Sequence, residues 1–527
     1  MPAHLGIWDF IKDINSNATN SQQTAVHSFI FYNPSSEQWK VLYFSAYNRE
    51  EVETGVFKVT SRIWDPNSKS GEPAIQIIPE WPGEDPDAPY LFCSGHSFLP
   101  DGNLLVAGGH REPENGKFRG LSYSYIFNTS NEAWAVAGST QIPFAMNDGR
   151  WYPTLTTLGV IGDGKVIAMS GLRSELVNGE SVVNDDPEIF NRLTGWSFMD
   201  DITLAKQPFE NLYPGAHVIP YGNDAGKIFY SMPMLQAWKF NPLADGTTGK
   251  PYWETVGDAR TIYRGGGCSV LLPLKPFENN DAKVLIIGGE EGTNVHNSAD
   301  IINFNVQDPQ WQSAPSVLFK RSHANATILA DGRVILIGGS EIHFNEGGVT
   351  YAEVFDPEAN SGVGSWTRLP AMTSLRMYHS SAVLMPDATV LVGGGDVPFG
   401  LPSSNTFQIY NPGYLFEGDR PEITSISATE IEYNSEFDIT PDIPIETAIL
   451  IRFGAPTHAF DQDQRAIFLE AKAAGPSNGQ IPYKISTPNN ANIAPKGYYM
   501  LFVLRPKSAS SSGQLRIPSD AKFVHIS

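Results

Sequence analysis

The sequence predicts an all-β protein, namely a seven-bladed kelch-type β-propeller followed by an immunoglobulin-like β-sandwich. The composition, a repeated hairpin pattern and a change of pattern near residue 420 support this prediction. Glycine (48) and proline (39) are abundant and only 18% of the residues are charged, which favours short strands joined by tight turns. A chain of 527 residues is too long for one ordinary core, so a repeat architecture with an appendage is expected.

A hairpin unit recurs along most of the chain. In the clear copies an apolar strand leads to an Asp-Gly or similar turn, and a second apolar strand ends in Gly-Gly. The seven copies lie at 25–46, 92–109, 150–171, 212–233, 265–289, 321–339 and 376–395. Each is followed by an aromatic strand end before Asn or Asp, usually with Pro or a downstream Trp. Four strands per unit, at a period of roughly 50 to 60 residues, predict a closed ring of blades rather than an elongated solenoid or a string of small domains.

The predicted domains follow from the limits of this pattern. After IYNPGYLF the repeat stops, and from about Arg420 apolar and polar residues alternate to the end of the chain. This length and rhythm are typical of an immunoglobulin-type sandwich. We therefore predict an N-terminal extension at 1–23, the propeller at 24–418 and the sandwich at 419–527.

Charge and cysteine content restrict the class of partner. A formal net charge of −21 disfavours nucleic acid and anionic membrane surfaces and favours a neutral or cationic small molecule. The sequence has no apolar run long enough to span a membrane and no signal-peptide pattern at its start, so a soluble, unexported protein is expected. A monomer is expected as well. Cys93 and Cys268 could form at most one disulfide, and the compartment stays open because a leader could have been removed.

Several chemically active side chains occupy matching positions in the repeat. Cys93, His323 and His379 each lie eight residues before the turn aspartate of their unit, and Tyr378 lies nine before it. Tyr152 lies eleven before its turn aspartate, which becomes nine if that looser turn carries two extra residues. Inner strands of a propeller line a central channel, so these side chains are expected to converge on the axis.

Imidazole and phenolate groups suit Cu(II), which prefers nitrogen and oxygen donors. The sandwich adds another imidazole candidate, His458, in the segment RFGAPTHAFDQDQR between two apolar strands. A single histidine or tyrosine on a strand is more often structural than a ligand, and His323 stays open between a channel-wall role and a functional one. The remaining candidates are interpreted as structural, namely Cys268, His27, His96, His217 and His296.

These segments resemble those of the galactose oxidase and glyoxal oxidase family of copper radical oxidases. RMYHSSAVLMPDATVLVGGG resembles the family's Tyr-His motif, and PTHAFDQDQR resembles its Thr-His segment followed by Asp-Gln-Arg. FCSGH resembles its crosslinking-cysteine segment, and RWYPT resembles the segment around its crosslinked tyrosine. The resemblance covers nearly the whole chain from about residue 25, and RWYP together with the LLPL after Cys268 favours the glyoxal oxidase branch.

The resemblance implies a mononuclear copper site with a protein radical as its redox partner. Tyr152, Tyr378, His379 and His458 would bind one Cu(II), and Cys93 Sγ would form a thioether with the ring of Tyr152. Such an oxidase converts a primary alcohol or an aldehyde while dioxygen is reduced to hydrogen peroxide. Tyr378 would take the substrate's hydroxyl proton as general base, and the Cys93–Tyr152 radical would remove the hydrogen from the substrate carbon.

One position departs from the family pattern. In galactose oxidase a tryptophan shields the crosslinked tyrosine, and alignment on Asp163-Gly164 places Arg173 at that position. Arg173 could stack on the thioether ring through a cation–π contact. Trp151 is expected to point away from Tyr152, because adjacent strand residues face opposite sides.

Two arginines are the only residues from which the sequence suggests anything about the substrate. Arg260 and Arg264 precede a strand that enters the channel and could hydrogen-bond a polyol or a hydrated aldehyde, although surface ion pairing is the commoner role of such residues. Neither a sugar nor an aldehyde is favoured.

Two other function classes compete with the oxidase. A non-catalytic kelch-type interaction module is possible because a propeller fold alone proves no activity; it predicts no stoichiometric copper. A hydrolase or lyase would need paired acids or a Ser-His pair in the channel, and the sequence has neither at repeat-matched levels nor a G-x-S-x-G elbow. The order Cys, Tyr, Tyr-His and His favours the oxidase.

Overall fold

The computed structural model describes residues 3–9, 12–13, 25–44, 60–68, 74–77, 90–135, 145–199, 202–244, 251–278, 281–395, 406–475 and 481–527. Seven antiparallel sheets, each with a path of four strands, follow one another along the chain. They are named blades 1 to 7 here, and the first strand of each blade is its inner strand. The inner strands are almost entirely buried, as the near-continuous apolar character of the repeat predicts.

The blade strands have the following bounds. Blade 1 contains His27–Asn33, Gln38–Phe44, Thr60–Trp64 and Ala74–Ile77. Blade 2 contains Gly95–Phe98, Leu104–Ala107, Lys117–Asn128 and Ala133–Ala135, and its third strand also pairs with His110–Glu114 and Ala145–Arg150. Blade 3 contains Thr154–Thr157, Val166–Met169, Glu188–Asn191 and Gly195–Phe198. Blade 4 contains Ala216–Val218, Ile228–Tyr230, Ala237–Phe240 and Trp253–Val256.

The later blades continue the same order. Blade 5 contains Cys268–Leu271, Lys283–Ile287, Ala299–Asn303 and Gln312–Ala314. Blade 6 contains Asn325–Ile328, Val334–Ile337, Tyr351–Asp356 and Ser365–Ala371. Blade 7 contains Ser380–Leu384, Val390–Gly394, Thr406–Asn411 and Ile7–Trp8. Two small hairpins, Glu290–Glu291 with Asn294–Val295 and Ser340–His343 with Glu346–Gly348, extend from blades 5 and 6.

The start of the chain completes the last blade. Ile7 pairs with Asn411 and Trp8 pairs with Tyr410, so the fourth strand of blade 7 comes from the N-terminus. Lys12–Asp13 pairs with the same strand further along. Part of the segment predicted as an extension therefore belongs to a blade, which closes the ring by hydrogen bonds between the two ends of the propeller. Residues 14–24 lie outside the described residues.

The C-terminal region forms two sheets. One has the order Ile423–Ile426, Glu436–Pro441, Tyr483–Ser486 and Ala471–Ala473, and the other has the order Glu430–Ile431, Lys522–Ile526, Gly497–Arg505, Thr447–Arg452 and Ala466–Leu469. Ile517–Pro518 adds to the second sheet. A core with members such as Ile439, Tyr483 and Leu501 fills the space between the two sheets. This arrangement is the predicted sandwich.

The sandwich packs directly against the propeller. Leu274 N–H donates to Ala466 O at 2.9 Å, and Phe468 N–H donates to Leu274 O at 2.8 Å. A hairpin of Pro456–Thr457 and Phe460–Asp461 extends from the sandwich towards the inner strands. The described helices are all single turns, at Ala3–Leu5, Ile202–Ala205, Ala359–Gly362, Gly413–Phe416 and Lys507–Ala509. None of them is long and apolar enough to cross a membrane.

Candidate copper-binding active site

A ring of residues with left-handed backbone conformation surrounds one end of the channel. One such residue precedes the inner strand of each of blades 2 to 7. These are Cys93 (φ 63°), Tyr152 (φ 67°), Tyr213 (φ 43°), Gly266 (φ 57°), His323 (φ 56°) and His379 (φ 64°). The conformation is uncommon for residues other than glycine and is found disproportionately at functional sites.

Backbone hydrogen bonds link neighbouring members of this ring. Tyr152 N–H donates to Cys93 O at 3.0 Å, Tyr213 N–H donates to Tyr152 O at 3.0 Å, and His323 N–H donates to Gly266 O at 2.6 Å. The bonds hold adjacent blades at the same level. The matching positions counted from the turn aspartates are therefore neighbours in space, as the sequence predicts.

Five side chains with donor atoms meet within this ring. The ligand atoms of Cys93, His379 and His458 all lie within 4.8 Å of one another, with Cys93 Sγ 3.7 Å from His458 Nε2. The hydroxyl groups of Tyr152 and Tyr378 share a hydrogen bond. Tyr152 and His458 have ring centroids 4.6 Å apart, and Tyr378 and His379 have ring centroids 3.7 Å apart.

An extra residue in blade 7 brings two ligand candidates to one strand. In blades 3, 5 and 6 a buried arginine stands two residues before the left-handed residue, whereas Arg376 stands three residues before His379. The additional residue is Tyr378. The blade can therefore present a phenol and an imidazole to the same site, and both remain partly accessible.

A loop of the sandwich delivers His458 to the propeller. The Asp461 carboxylate accepts hydrogen bonds from the backbone N–H groups of Ala455 (2.8 Å), Asp463 (3.1 Å) and Gln464 (2.9 Å). Thr457 Oγ1 lies 2.5 Å from His458 Nδ1, which leaves Nε2 on the side of Cys93. The carboxylate thus determines the shape of the loop, and the threonine determines the orientation of the imidazole.

The same loop satisfies the backbone of the inner strands. Gln462 Oε1 accepts hydrogen bonds from His96 N–H and Leu155 N–H, both at 3.0 Å. Asp463 Oδ2 accepts one from Phe98 N–H at 2.6 Å. Inner strands have one edge without a strand partner, and these side chains supply acceptors where no neighbouring strand can. Gln464 performs the same role in blade 6, where it bonds to Ile328 N–H and Ala326 O.

The ring of Tyr152 lies between two other aromatic rings. Trp151 covers one face, with centroids 3.7 Å apart and planes at 12°, and Tyr213 is stacked at 4.5 Å and 29°. Phe118 continues the stack over Trp151 at 4.7 Å and 1°. The expectation that Trp151 points away from Tyr152 is wrong, because the left-handed conformation at Tyr152 interrupts the alternation of a regular strand.

Arg173 has ion-pair partners away from the aromatic stack. Its guanidinium donates to Asp148 Oδ2 at 2.8 Å, Asp185 Oδ1 at 2.8 Å and Asp186 Oδ2 at 2.9 Å. These carboxylates raise its pKa, although partial burial opposes the shift. The side chain that stacks on the Tyr152 ring is therefore the indole of Trp151 and not the guanidinium of Arg173.

Arg260 and Arg264 form hydrogen bonds within the propeller. Arg260 donates to Ser231 O at 2.7 Å and to Met234 O, and its guanidinium lies 4.6 Å from the ring centroid of Trp311. Arg264 has no exposed side-chain surface; it donates to Gly288 O at 2.6 Å and to Asp300 Oδ2 at 2.8 Å. Their hydrogen-bonding groups are thus directed at carbonyls and a carboxylate of blades 4 and 5.

The histidines interpreted as structural, and Cys268, are buried or partly buried in the propeller. His27 Nε2 accepts a hydrogen bond from Cys93 N–H at 3.3 Å, so it supports the backbone of the candidate crosslinking residue. His217 Nε2 lies 2.7 Å from Ser269 Oγ. Cys268 Sγ donates to Ala324 O at 3.2 Å, and burial raises the pKa of its thiol to about 12. These contacts agree with the structural interpretation of the three residues.

His323 lies at the wall of the site. Its ring has a T-shaped contact with Tyr378 at 4.7 Å, and its Nε2 lies 3.4 Å from Glu290 Oε1. His343 Nδ1 approaches the same carboxylate oxygen at 2.9 Å. The sequence placed His323 at the correct level, and the structure adds the carboxylate beside it.

Burial determines the protonation of the donor groups. It lowers the pKa of His458 well below its ordinary value, and the neighbouring His379 adds to this shift. Burial also raises the pKa of Tyr152, with further contributions from Cys93 and Tyr378. The His458 imidazole is therefore neutral near pH 7 and able to bind a metal ion, while the Tyr152 phenol keeps its proton until a cation displaces it.

A cavity of about 610 Å³ opens above the donor cluster. Its wall includes all five donor residues together with Phe92, His110, Phe118 and Phe344. The sequence reasoning missed Tyr213, although a signal was present: Tyr213-Pro214 repeats Tyr152-Pro153 in the next unit. Phe118 and His110 lie outside the hairpin unit and had no comparable signal.

Comparisons with known proteins agree with this geometry. The family model for the glyoxal oxidase N-terminus matches residues 89–410, and the model for the galactose oxidase-like early set domain matches residues 420–526. A galactose oxidase of Gibberella zeae is 25% identical over 457 residues, which cover 83% of this chain and 61% of that protein. The chain therefore spans less than two thirds of this relative's length.

Other relatives match over more of their length. An aldehyde oxidase of Vitis pseudoreticulata is 25% identical over 468 residues, covering 82% of each chain. The structure of a fungal alcohol oxidase of the AA5 family in complex with copper superposes with a TM-score of 0.72 at 20% identity, covering 99% of this chain and all of that one. This structural similarity confirms the predicted all-β fold class. The glyoxal oxidase model alone matches well over half of the residues of this chain, which therefore belongs to the galactose oxidase and glyoxal oxidase family of copper radical oxidases.

Proposed function

We propose that this protein is a copper-dependent oxidase that oxidises a primary alcohol or an aldehyde and reduces dioxygen to hydrogen peroxide, using a Cys93–Tyr152 thioether radical. The observation that carries the proposal is the meeting of one thiol, two imidazoles and two phenols at one end of the channel. In this proposal the propeller (24–418) supplies four of the five side chains, and the sandwich (419–527) supplies His458.

The donor set suits copper. His379 and His458 offer imidazole nitrogens within 4.8 Å of each other, and the Tyr152 and Tyr378 hydroxyls are in direct contact. Two nitrogen and two oxygen donors are what Cu(II) prefers. Structural zinc sites usually contain at least two cysteine thiolates. Among the described residues, the cluster contains only one cysteine, Cys93.

The thioether requires Cys93 and Tyr152 to be neighbours. The backbone hydrogen bond between them and the contribution of Cys93 to the raised pKa of Tyr152 support this proximity. Crosslinking forms one carbon–sulfur bond and breaks the S–H bond and one ring C–H bond. The two electrons and two protons released are accepted by dioxygen, which leaves as hydrogen peroxide.

Two tyrosines carry out the transfers of substrate oxidation, and two neighbouring aromatic rings cover one of them. Copper held by Tyr152, Tyr378, His379 and His458 would supply a one-electron acceptor. Tyr378 takes the hydroxyl proton of the substrate, and the oxidised Tyr152 takes a hydrogen atom from the adjacent carbon. Trp151 and Tyr213 stack on the Tyr152 ring and limit its contact with water. Dioxygen then receives the two electrons and two protons removed from the alcohol.

A peptide mass map tests the proposal. Purified protein is treated with Cu(II) in air and compared with a copper-free anaerobic sample and with Cys93→Ala. We expect the peptides containing Cys93 and Tyr152 to be joined with loss of two hydrogens in the treated wild type, and to be separate in both of these comparison samples. Cys268→Ala is the matched control, because Cys268 is equally buried but bonds to Ala324 O in another blade, and it should still crosslink.

The alternative is a non-catalytic kelch-type interaction module. It predicts separate peptides despite bound copper, or no stoichiometric copper at all. Either result would replace the oxidase by the binding-module interpretation.

A further inference from the structure

We infer that the substrate is an uncharged primary alcohol, or the corresponding aldehyde, that carries an aromatic or similarly apolar group. This inference rests on the proposed function and names the substrate class of the same site. It comes from the cavity above the donor cluster, whose wall is largely apolar beyond the donor residues. The apolar side chains there include Phe92, Phe118, Trp151, Leu212, Met232 and Phe344.

No free charge faces this cavity among the described residues. Arg264 is the one charged side chain in its wall, and its guanidinium is already bonded to Gly288 O, Ser298 and Asp300. Burial lowers the pKa of His110 to about 4, so that imidazole is neutral at pH 7. An anionic substrate would find no cation, and a cationic substrate would find no carboxylate in the wall.

Polar partners for a substrate are few. Outside the donor cluster and Arg264, the polar side chains of the wall are His110, His323, Asn345, Trp151 and Tyr213. The Tyr213 hydroxyl already donates to Ser94 O at 2.8 Å. The Nδ1 atoms of His110 and His323 are buried without a hydrogen-bond partner, and both residues are at least nine-tenths buried. Two or three such groups can serve one or two substrate oxygens. The several hydroxyls of a hexose would lose water without gaining partners.

Blade 5 leaves no room for an additional polar side chain. Its member of the left-handed ring is Gly266, and a Cβ added there would lie 2.5 Å from the ring of His323. The imidazole therefore fills the space that a side chain from blade 5 would need. This wall of the cavity stays without a hydrogen-bonding group from that position.

Two exposed phenylalanines lie at the mouth of the cavity. Phe118 is 46% exposed and stacks on Trp151, and Phe344 is 40% exposed with its ring 4.9 Å from that of His323. Aromatic rings in contact gain energy beyond the burial of their area. An aryl group entering the cavity would cover both side chains, while its hydroxyl group reaches Tyr378 and Tyr152.

Initial rates of peroxide formation by the copper-loaded, crosslinked protein test the inference. We expect kcat/KM for 3-phenylpropan-1-ol to exceed that for galactose, glycerol and methylglyoxal by about a hundredfold or more. Phe118→Ala and Phe344→Ala should each lower kcat/KM for 3-phenylpropan-1-ol about tenfold, mainly through KM, and lower it by a smaller factor for 1-propanol, which has no aryl group. Phe198→Ala is the matched control, because Phe198 is 44% exposed on the outer strand of blade 3.

A binding measurement separates this inference from the proposed function. Copper-loaded protein with its radical reduced and oxygen removed is titrated calorimetrically with 3-phenylpropan-1-ol and with galactose. Tighter binding of the aryl alcohol, weakened by Phe344→Ala and unchanged by Phe198→Ala, supports the inference. Preferred binding or turnover of galactose or glycerol overturns it while the oxidase stands. A crosslinked protein that oxidises none of these compounds contradicts the proposed function instead.

Discussion

The indole ring of Trp151 lies over the phenol ring of its chain neighbour Tyr152, with centroids 3.7 Å apart and planes at 12°. Two successive residues on a regular strand could not stack in this way. The left-handed conformation at Tyr152 (φ 67°) makes the contact possible. Tyr213 is stacked on the same ring at 4.5 Å, so the ring of the proposed radical lies against two other aromatic rings.

Trp151→Leu should shorten the lifetime of the Tyr152 radical. Leucine removes the ring that keeps solvent and reductants from the phenoxyl, so we expect decay about tenfold faster. The decay of the radical's electron paramagnetic resonance signal is followed after treatment with a one-electron oxidant. Trp151→Phe keeps a stacked ring and should retain most of the lifetime, and equal decay in wild type and Trp151→Leu would refute the shielding role.

Arg173→Met should leave the radical unchanged and lower the stability of the fold. The guanidinium neutralises Asp148, Asp185 and Asp186, and its loss leaves three carboxylates close together, at a cost of about 1–3 kcal/mol. Urea unfolding and radical decay are measured side by side. A changed radical lifetime at unchanged copper content would show that Arg173 acts on Tyr152 after all.

Gln462→Ala should weaken both the fold and copper binding. Removing Oε1 leaves the backbone N–H groups of His96 and Leu155 without their acceptor, a loss of about 2–4 kcal/mol. The loop that presents His458 then loosens, so copper affinity falls in an anaerobic titration. Gln464→Ala is expected to have a smaller effect, because Gln464 Oε1 accepts a hydrogen bond only from the Ile328 N–H. Equal losses of stability in the two variants would contradict the expectation that the loss grows with the number of N–H groups left without an acceptor.

The copper-free protein should lose stability as the pH falls below about 6.5. Burial lowers the pKa of His96 from 6.5 to about 3, so the unfolded chain binds a proton there that the folded protein does not. Each such histidine costs about 1.4 kcal/mol of folding free energy per pH unit between the two pKa values.

His96→Phe removes one titrating group of this kind. Its loss of stability between pH 7 and pH 5 should be smaller than that of wild type by about 2 kcal/mol, measured by urea unfolding at both pH values. Phe29→Leu changes the ring packed against His96 at 4.9 Å without removing a proton site and should keep the wild-type slope. Parallel slopes for wild type and His96→Phe would exclude His96 as a contributor.

Much of the candidate site could be predicted from the repeat. Cys93, Tyr378 and His379 were found by counting from a turn, because equivalent positions of a propeller converge on its axis. His458 was found by its loop position and by resemblance, since the sandwich has no repeat to count in. The Tyr-Pro pair at Tyr213 repeats that of Tyr152 and is the sequence signal for its place in the ring.

The sequence by itself determined the strands, the blade number and the level of each axial residue, because turn residues and apolar patterning act locally and recur with the repeat. Only the tertiary structure decided that the Trp151 ring covers Tyr152 and that the Arg264 guanidinium is bonded to Asp300 of blade 5. It also decided that Gln462 accepts hydrogen bonds from the backbone of strands more than 300 residues away. Those relationships depend on single backbone angles and on hydrogen bonds between distant segments. Neither leaves a periodic trace in the order of the residues, since each forms only when the closed ring brings its partners together.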